Sequence, residues 1–417
     1  MSRPTPGKPY TVQKGDTLIG IAKAAYGDGG KFTIIWKANQ SNLRGSTPDQ
    51  VFPGEVLNIP QDQDKEALKR EILGDSIPGK DPDDFTLVIN SQEFPAISGT
   101  VTDNLDMAAI GFSAVLFFDA EDNRLREVLR PYGYTPAKVY LGGELAADGV
   151  IYTPENSLSD QGLTSTLEGW SPTADVIDSS IKPPYEAKKI TLEQRARDLC
   201  APHGVKVVFE LDSDPQFDRI NADPDATIFD HLADLATQRG ALLTASPAGE
   251  LMITQAATGA PVGTIEEGRP PYTSMAMRWD GRARWSTYRA IGQSPKKKTK
   301  TAIANDENVG RARLHTFTAD ETSLGEIQAA ADWKRSKAIA DSMAFDFPVH
   351  SWYDPNGNRW RKNTIVSVVS KSMFLADGFD FLIKGVEYTF SDAGTPAKLS
   401  LVPPQVYTGE ALVDPWS

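Results

Sequence analysis

The chain has 417 residues, more than one hydrophobic core usually organises, since single cores stop growing near about 250–300 residues; two or more domains are expected. Its formal charge of −13, from 43 basic and 56 acidic residues, excludes tight nucleic-acid binding as a default, because neutralising phosphate takes clustered Lys and Arg. One cysteine and four scattered histidines exclude an internal disulfide and offer no metal-ligand pair at helical spacing, so no cofactor is expected. No run of eighteen apolar residues and no charged-then-apolar leader at Met1-Ser2-Arg3-Pro4 is present, so neither a membrane span nor a secretory signal is expected, and synthesis in the cytoplasm is.

Tyr10 to Val12 reads as a strand that meets a Lys14-Gly15-Asp16-Thr17 turn. Leu18, Ile21, Ala22 and Ala25 then fall on one face of a short helix, capped by Thr17 or Asp16. A second helical run, Phe32 to Asn39, leads to a closing strand, Val56 to Ile59, that pairs with the first. In this β-α-α-β order, and in both of its ends, Tyr10 to Pro60 resembles a LysM module. The resemblance implies contact with N-acetylglucosamine-containing glycans such as peptidoglycan, or a retained fold used for protein docking. The candidate docking residues are Gly15, Asp16 and Thr17 after the first strand, and Asn39, Asn42 and Leu43 after the second helix. Docking to protein is favoured, because a single module offers little avidity, although three copies in a trimer recover some. Trp36 and Ile59 are assigned to the core of the module.

After an acidic, proline-containing connector the chain reads as β structure. Phe85, Leu87 and Ile89 alternate with Thr86, Val88 and Asn90, and Ile97 to Val101 and Ala114 to Phe118 are further β-prone runs. Lys138 to Leu141, a Gly142-Gly143 turn and Val150 to Thr153 predict a hairpin. The Thr-rich run Leu163 to Trp170 predicts a strand packed on at least one face.

The pattern then becomes mixed. Thr191 and Gln194 are spaced as a capping box, opening a helix that should stop by Gly204, and strand Lys206 to Leu211 follows. Thr227 opens a second helix with Ile228, Leu232 and Leu235 along one side and Gly240 as its C-terminal cap. Ala241 to Ala245 and Glu250 to Gln255 flank Ser246 to Gly249 as a hairpin. Trp285 to Ile291 reads as a strand, and Lys296-Lys297-Lys298-Thr299-Lys300 as a solvated basic loop, with contact to DNA or an acidic partner as the alternative. Thr301 to Gly310 reads as a polar connection, and Ser323 to Ala340 as a helix with Leu324, Ile327 and Ala331 on one face. The runs Thr364 to Ser370, Phe379 to Phe390 and Ala397 to Val402 close the chain as strands.

The expected fold class is α+β and multidomain. The expected divisions are a LysM module at 1–61, a linker at 62–84, a first β domain at 85–181, an α/β domain at 182–280, a strand, basic loop and helix segment at 281–344, and a second β domain at 345–417.

From Phe85 to Trp416 the chain resembles the Mu-type phage baseplate hub family, a tail component also grouped with late control proteins. The matching phrases are Leu163 to Ser171 with Thr173 to Ser180, Thr191 to Leu199 with Gly204 to Phe209, Trp352 to Trp360, and Leu399 to Pro404. Thr227 to Gly240 is the most specific of them. The resemblance implies a homotrimeric ring in which each subunit brings two tube-type β domains, so that six similar units mate with a sixfold tail tube. It implies partners in the tail tube protein, the central spike protein and the baseplate wedge proteins, and a place in the virion baseplate after assembly in the host cytoplasm. The channel would pass DNA, and an acidic chain would not retain phosphate there. A hub of a phage-derived contractile injection particle would use the same fold; a LysM-anchored peptidoglycan-binding or hydrolysing protein is the alternative from another class.

No enzyme is expected. Cys200 and His203 lie near a helix end without an orienting third group. Asp214, Asp218, Asp223 and Asp225 form an acidic stretch that lacks the glycine and terminal glutamate of a calcium loop. Glu168, Asp175 and Asp178 carry little weight as a glycosidase pair in so acidic a chain.

Overall fold

The computed structural model describes residues 4–26, 32–39, 43, 51–60, 81–118, 121–159, 162–292, 300–319, 324–343 and 345–408. Most of the linker, Asn42, Lys296 to Thr299 of the basic run, and 409–417 lie outside the described residues.

At the N terminus β1 (Pro9–Thr11) pairs antiparallel with β2 (Val56–Asn58), with Tyr10 opposite Leu57. Helices α1 (Leu18–Tyr26) and α2 (Phe32–Asn39) lie between them in sequence. Thr17 Oγ1 accepts from the Gly20 amide at 3.1 Å, which caps α1 as its spacing requires. Leu18, Ile21 and Ala22 pack with Ile35, Trp36 and Ile59 in one core.

The body is organised by one sheet of 13 strands. Its first part comprises β3 (Phe85–Ile89), β4 (Gln92–Phe94), β5 (Ser98–Asn104), β6 (Gly111–Phe117), β7 (Pro136–Leu141), β8 (Glu144–Ser159) and β9 (Gly162–Trp170), with the short helix α3 (Asn123–Val128) after β6. The Gly142-Gly143 turn joins β7 to β8 as the sequence suggests, with both glycines at positive φ.

A smaller α/β layer follows: α4 (Ala174–Asp178), β10 (Glu186–Ile190), α5 (Leu192–Cys200), β11 (Val207–Phe209), β12 (Phe217–Asn221), α6 (Ile228–Thr237), β13 (Leu242–Ala245) and β14 (Leu251–Thr254). Leu192, Ala196 and Cys200 of α5 and Ile228, Leu232 and Leu235 of α6 share its core. Thr191 and Thr227 cap the two helices by accepting from the Gln194 and Asp230 amides. The Gln194 side chain bonds Asp198 instead of returning to the cap, so the box is half formed. The acidic stretch after Asp214 contains a strand where the sequence reads as a loop: β12 pairs antiparallel with β10, Ile220 opposite Ala187.

The chain re-enters the large sheet through β15 (Thr264–Glu266) and β16 (Ala276–Met277), then builds a separate three-stranded sheet from β17 (Thr287–Gly292), β18 (Thr301–Asn305) and β19 (Leu314–Ala319). The polar run after the basic loop is thus a strand, because every second residue, Ala302 and Ala304, is small and faces the long helix α7 (Leu324–Asp341). On α7 Ile327 and Ala331 are buried, whereas Leu324 is exposed. The final strands are β20 (Phe345–Val349), β21 (Ile365–Ser370), β22 (Leu375–Phe390) and β23 (Ala397–Val402), before the short helix α8 (Gln405–Thr408).

Strand order in the large sheet is β16-β20-β23-β22-β5-β6-β9-β8-β7-β3-β4, with β21 also paired to β22 and β15 to β21. The first and last β blocks therefore meet at an antiparallel seam, β5 against β22, running from Gly99 opposite Phe390 to Asn104 opposite Gly385. Glycine is required at the seam. A Cβ on Gly99 would sit 2.3 Å from the Phe85 ring, which stacks on Phe390 at 5.5 Å. Both blocks share one apolar core, which includes the fully buried Trp352.

Candidate functional site

In the LysM module the structure separates the docking candidates by role. Gly15 is exposed at φ +94° and Thr17 is exposed at the helix cap. Asp16 accepts from the Tyr10 hydroxyl at 2.7 Å and the Gln13 amide at 2.8 Å. Burial and the Asp16 carboxylate push the Tyr10 hydroxyl up to about 12. Asn39 is buried: its Nδ2 donates to the Ile35 carbonyl at 2.7 Å and the Asn58 carbonyl at 2.8 Å, and its Oδ1 accepts from the Asn58 amide at 2.6 Å. That side chain ties α2 to β2 from inside. Leu43 is half-buried against the same core. Among the described candidates, the exposed ones are Gly15 and Thr17, just after β1.

The body carries a charged cluster where three parts of the chain meet. Asp103 comes from β5, Glu144 from the start of β8, and Arg359, Arg361 and Lys362 from the segment between β20 and β21. Lys362 Nζ pairs with Asp103 Oδ1 and donates to the Ala245 carbonyl of β13 at 2.8 Å. These two side chains are only 9% and 13% exposed. Arg359 donates to the carbonyls of Glu144 and Leu145 at 3.4 and 3.1 Å, and Arg361 reaches the Glu144 carboxylate at 3.0 Å. Burial raises the Asp103 carboxyl above its ordinary range, and Lys362 is the largest force opposing that rise. Beside them lies a cleft of about 220 Å³, lined also by Tyr388 and by Thr244 and Met252 of the α/β layer. With each cation held by a carboxylate or carbonyl, the cluster fixes the two β blocks and the α/β layer against one another.

Sequence reasoning missed this cluster. Its signal was the run Arg359-Trp360-Arg361-Lys362-Asn363, three cations around a tryptophan. Nothing local reveals that Asp103 and Glu144, more than two hundred residues earlier, lie opposite.

Three residues weighed for chemistry, Cys200 as a nucleophile, Asp214 as a calcium ligand and Asp175 as a glycosidase carboxylate, have structural contacts. Cys200 is fully buried in the core of the α/β layer, and burial pushes its thiol up to about 12. Asp214 accepts from the Leu192 and Glu193 amides at 3.0 and 2.8 Å, capping α5 from the acidic stretch. Asp175 accepts from the Tyr152 hydroxyl at 2.9 Å.

Comparison with known proteins agrees with this architecture. Residues 10–60 match the LysM domain, residues 173–255 the second domain of the gp44-like baseplate hub proteins, and residues 323–410 the fourth domain of the Mu phage baseplate assembly protein GpP. Baseplate hub protein gp44 of Escherichia phage Mu is 28% identical over 292 residues, covering 65% of this chain and 76% of that protein. The 43 kDa tail protein of prophage MuSo2 from Shewanella oneidensis superposes with a TM-score of 0.68 at 25% identity, over 78% of this chain and 99% of that one. A tail protein from Neisseria meningitidis MC58 has the same fold, with a TM-score of 0.67 at 19% identity over 78% and 98%. Behind an N-terminal LysM match, the chain thus matches one domain of the gp44-like baseplate hub proteins and one of the Mu phage baseplate assembly protein GpP.

Proposed function

We propose that this chain is the structural hub of a contractile phage tail baseplate, a homotrimeric ring that adapts a sixfold tail tube to a threefold central spike and leaves a channel for DNA. The observation that carries this reading is the β5–β22 seam. Within one chain the first and last β blocks, each built around a 16-residue strand, join edge to edge. The same kind of joint repeated between chains makes three copies into a ring of six blocks. In this reading 85–181 and 345–417 are the tube-type units, and the α/β layer from 182 to about 255 lies outside the bore, against neighbouring subunits or other baseplate parts.

The function is geometric and involves no chemical step. The LysM module docks to a baseplate protein or to peptidoglycan through Gly15, Asp16, Thr17, Asn42 and Leu43, while Asn39 is buried and ties α2 to β2. The chain resides in the virion baseplate after assembly in the host cytoplasm. Light scattering of the full chain at several concentrations, followed by electron microscopy of the particles, tests the reading. A threefold ring with a central opening, retained after removal of residues 1–60, is expected; a persistent monomer with no ring would overturn it.

A further inference from the structure

Two strongly exposed apolar side chains of the first β block stand near the same end of its sheet. Leu158 near the end of β8 is 80% exposed, and Phe117 at the end of β6 is 72% exposed. Both belong to a ribbon of three strands: Phe117 pairs with Thr164 of β9, and Thr164 pairs with Ser157 of β8. Leu158 pairs with Leu163, the next residue along β9. Paired residues share a face and neighbours alternate, so Leu158 and Phe117 lie on opposite faces of the ribbon. The four consecutive residues Glu155 to Leu158 are all exposed, which in a strand means that neither face is covered.

The outer edge is open as well. Strand β7 pairs with β8 only as far as Val150, and the last backbone bond on that side is from the Ile151 amide to the Thr135 carbonyl. Beyond it, among the described residues, β8 has β9 on one side and no strand on the other. Pro154 breaks the row of donors, so an added strand would find its ladder from Glu155 onward. Leu116 and Ser165 of the neighbouring β6 and β9 are buried, so it is the end of β8 that is wet on both faces, and a strand end of that kind is marginal in water. An exposed apolar end of this kind marks a contact surface.

Charge selects the occupant. Copies of a chain with net charge −13 repel one another, so a contact between them is best built where charge is sparse. Across 111–118 and 151–167 the only charged residues are Glu155 and Asp160, in a chain that is 24% charged overall. We propose that the outer ends of β6, β8 and β9 form an arm that seats on a second copy of this chain, with Phe117 and Leu158 as its anchors. This deepens the ring reading above and rests on it. A closed ring uses two different patches at each contact, so each arm reaches one neighbour and each subunit receives one arm.

The test compares the full chain with a Phe117→Ser/Leu158→Asn variant. Both side chains are exposed, so the monomer should fold alike, which circular dichroism and the thermal midpoint verify. The expected result is at least a tenfold weaker association by light scattering across a dilution series. Amide exchange at Glu155 to Leu158 should be slow in the concentrated wild type and fast on dilution. A wild-type trimer whose variant assembles equally well overturns the arm and leaves the ring standing. A wild type that never associates overturns both.

Discussion

Replacing Lys362 with methionine should destabilise the body more than any other single change in the charged cluster. The substitution keeps the length of the stem and removes its charge, leaving Asp103 buried without its ion-pair partner, with only the more distant Arg359 and Arg361 acting on it, and the Ala245 carbonyl without its 2.8 Å donor. Breaking a buried pair by removing one partner costs about 3–5 kcal/mol, because the remaining charge keeps its desolvation penalty. Asp103 is already raised from 3.8 with the lysine present and must rise further without it. Between the unfolded value and that higher folded value, the folded variant binds a proton that the unfolded chain does not. Stability of K362M therefore falls as pH rises through this window, and its deficit against wild type shrinks on acidification toward about 4. Urea unfolding followed by tryptophan fluorescence reads the event, since Trp352 and Trp360 are buried in the same core. The double variant D103N/K362M, with both charges gone, should return to within about 1–2 kcal/mol of wild type. A cost for K362M below about 1 kcal/mol at pH 7, or a deficit that grows on acidification, would refute the reasoning.

Other expectations concern the smaller units. Asn39→Ala should cost the LysM module about 1–3 kcal/mol through the loss of three internal hydrogen bonds, read as earlier proteolysis within 10–60. Asp214→Ala should cost about 1 kcal/mol as a lost helix cap and speed amide exchange at Leu192 and Glu193, with unchanged exchange counting against the cap. His231 accepts from Arg195 Nε at 3.3 Å, and burial and that guanidinium both hold its titration below 6.5. Its contribution is complete above that value and is lost as pH falls below it, because the unfolded chain takes the proton first. Exchange in α5 and α6 should therefore quicken on mild acidification, and His231→Gln, which keeps an acceptor, should remove that slope.

How much of this was legible in the sequence depended on range. The LysM fold was readable because its determinants are local: Thr17 before an apolar face, and strands at the two ends of fifty residues. The caps at Thr191 and Thr227, the Gly142-Gly143 hairpin and the turn at Ser246 to Gly249 are local too, and the chain adopts them. Strand β12 escaped notice because Asp218, Arg219 and Asn221 make it polar on both sides; it is held by pairing with β10, not by an alternating apolar face. Strands β18 and β19 were hidden for a related reason, their inward residues being mostly alanine, histidine or aromatic beneath a helix of weak amphipathicity. The docking candidates illustrate the same limit: Asn39 looks like a surface asparagine until its three partners are seen. The charged cluster and the β5–β22 seam join segments hundreds of residues apart, and no window of sequence contains both halves.

That seam also governs when the molecule can exist. Thr395 bonds Asp83 across 312 residues of chain, and the strand that completes the middle of the large sheet ends at Phe390. Emerging from the ribosome, the first β block has β5 paired only with β6, and the other edge of β5 waits until Gly385 to Phe390 have been made. Such long-range closure is slow and leaves strand edges exposed meanwhile. In the ring proposed above, the same delay would act as a safeguard: a chain that stops before β22 cannot complete the sheet, and so would not enter the ring as a defective member.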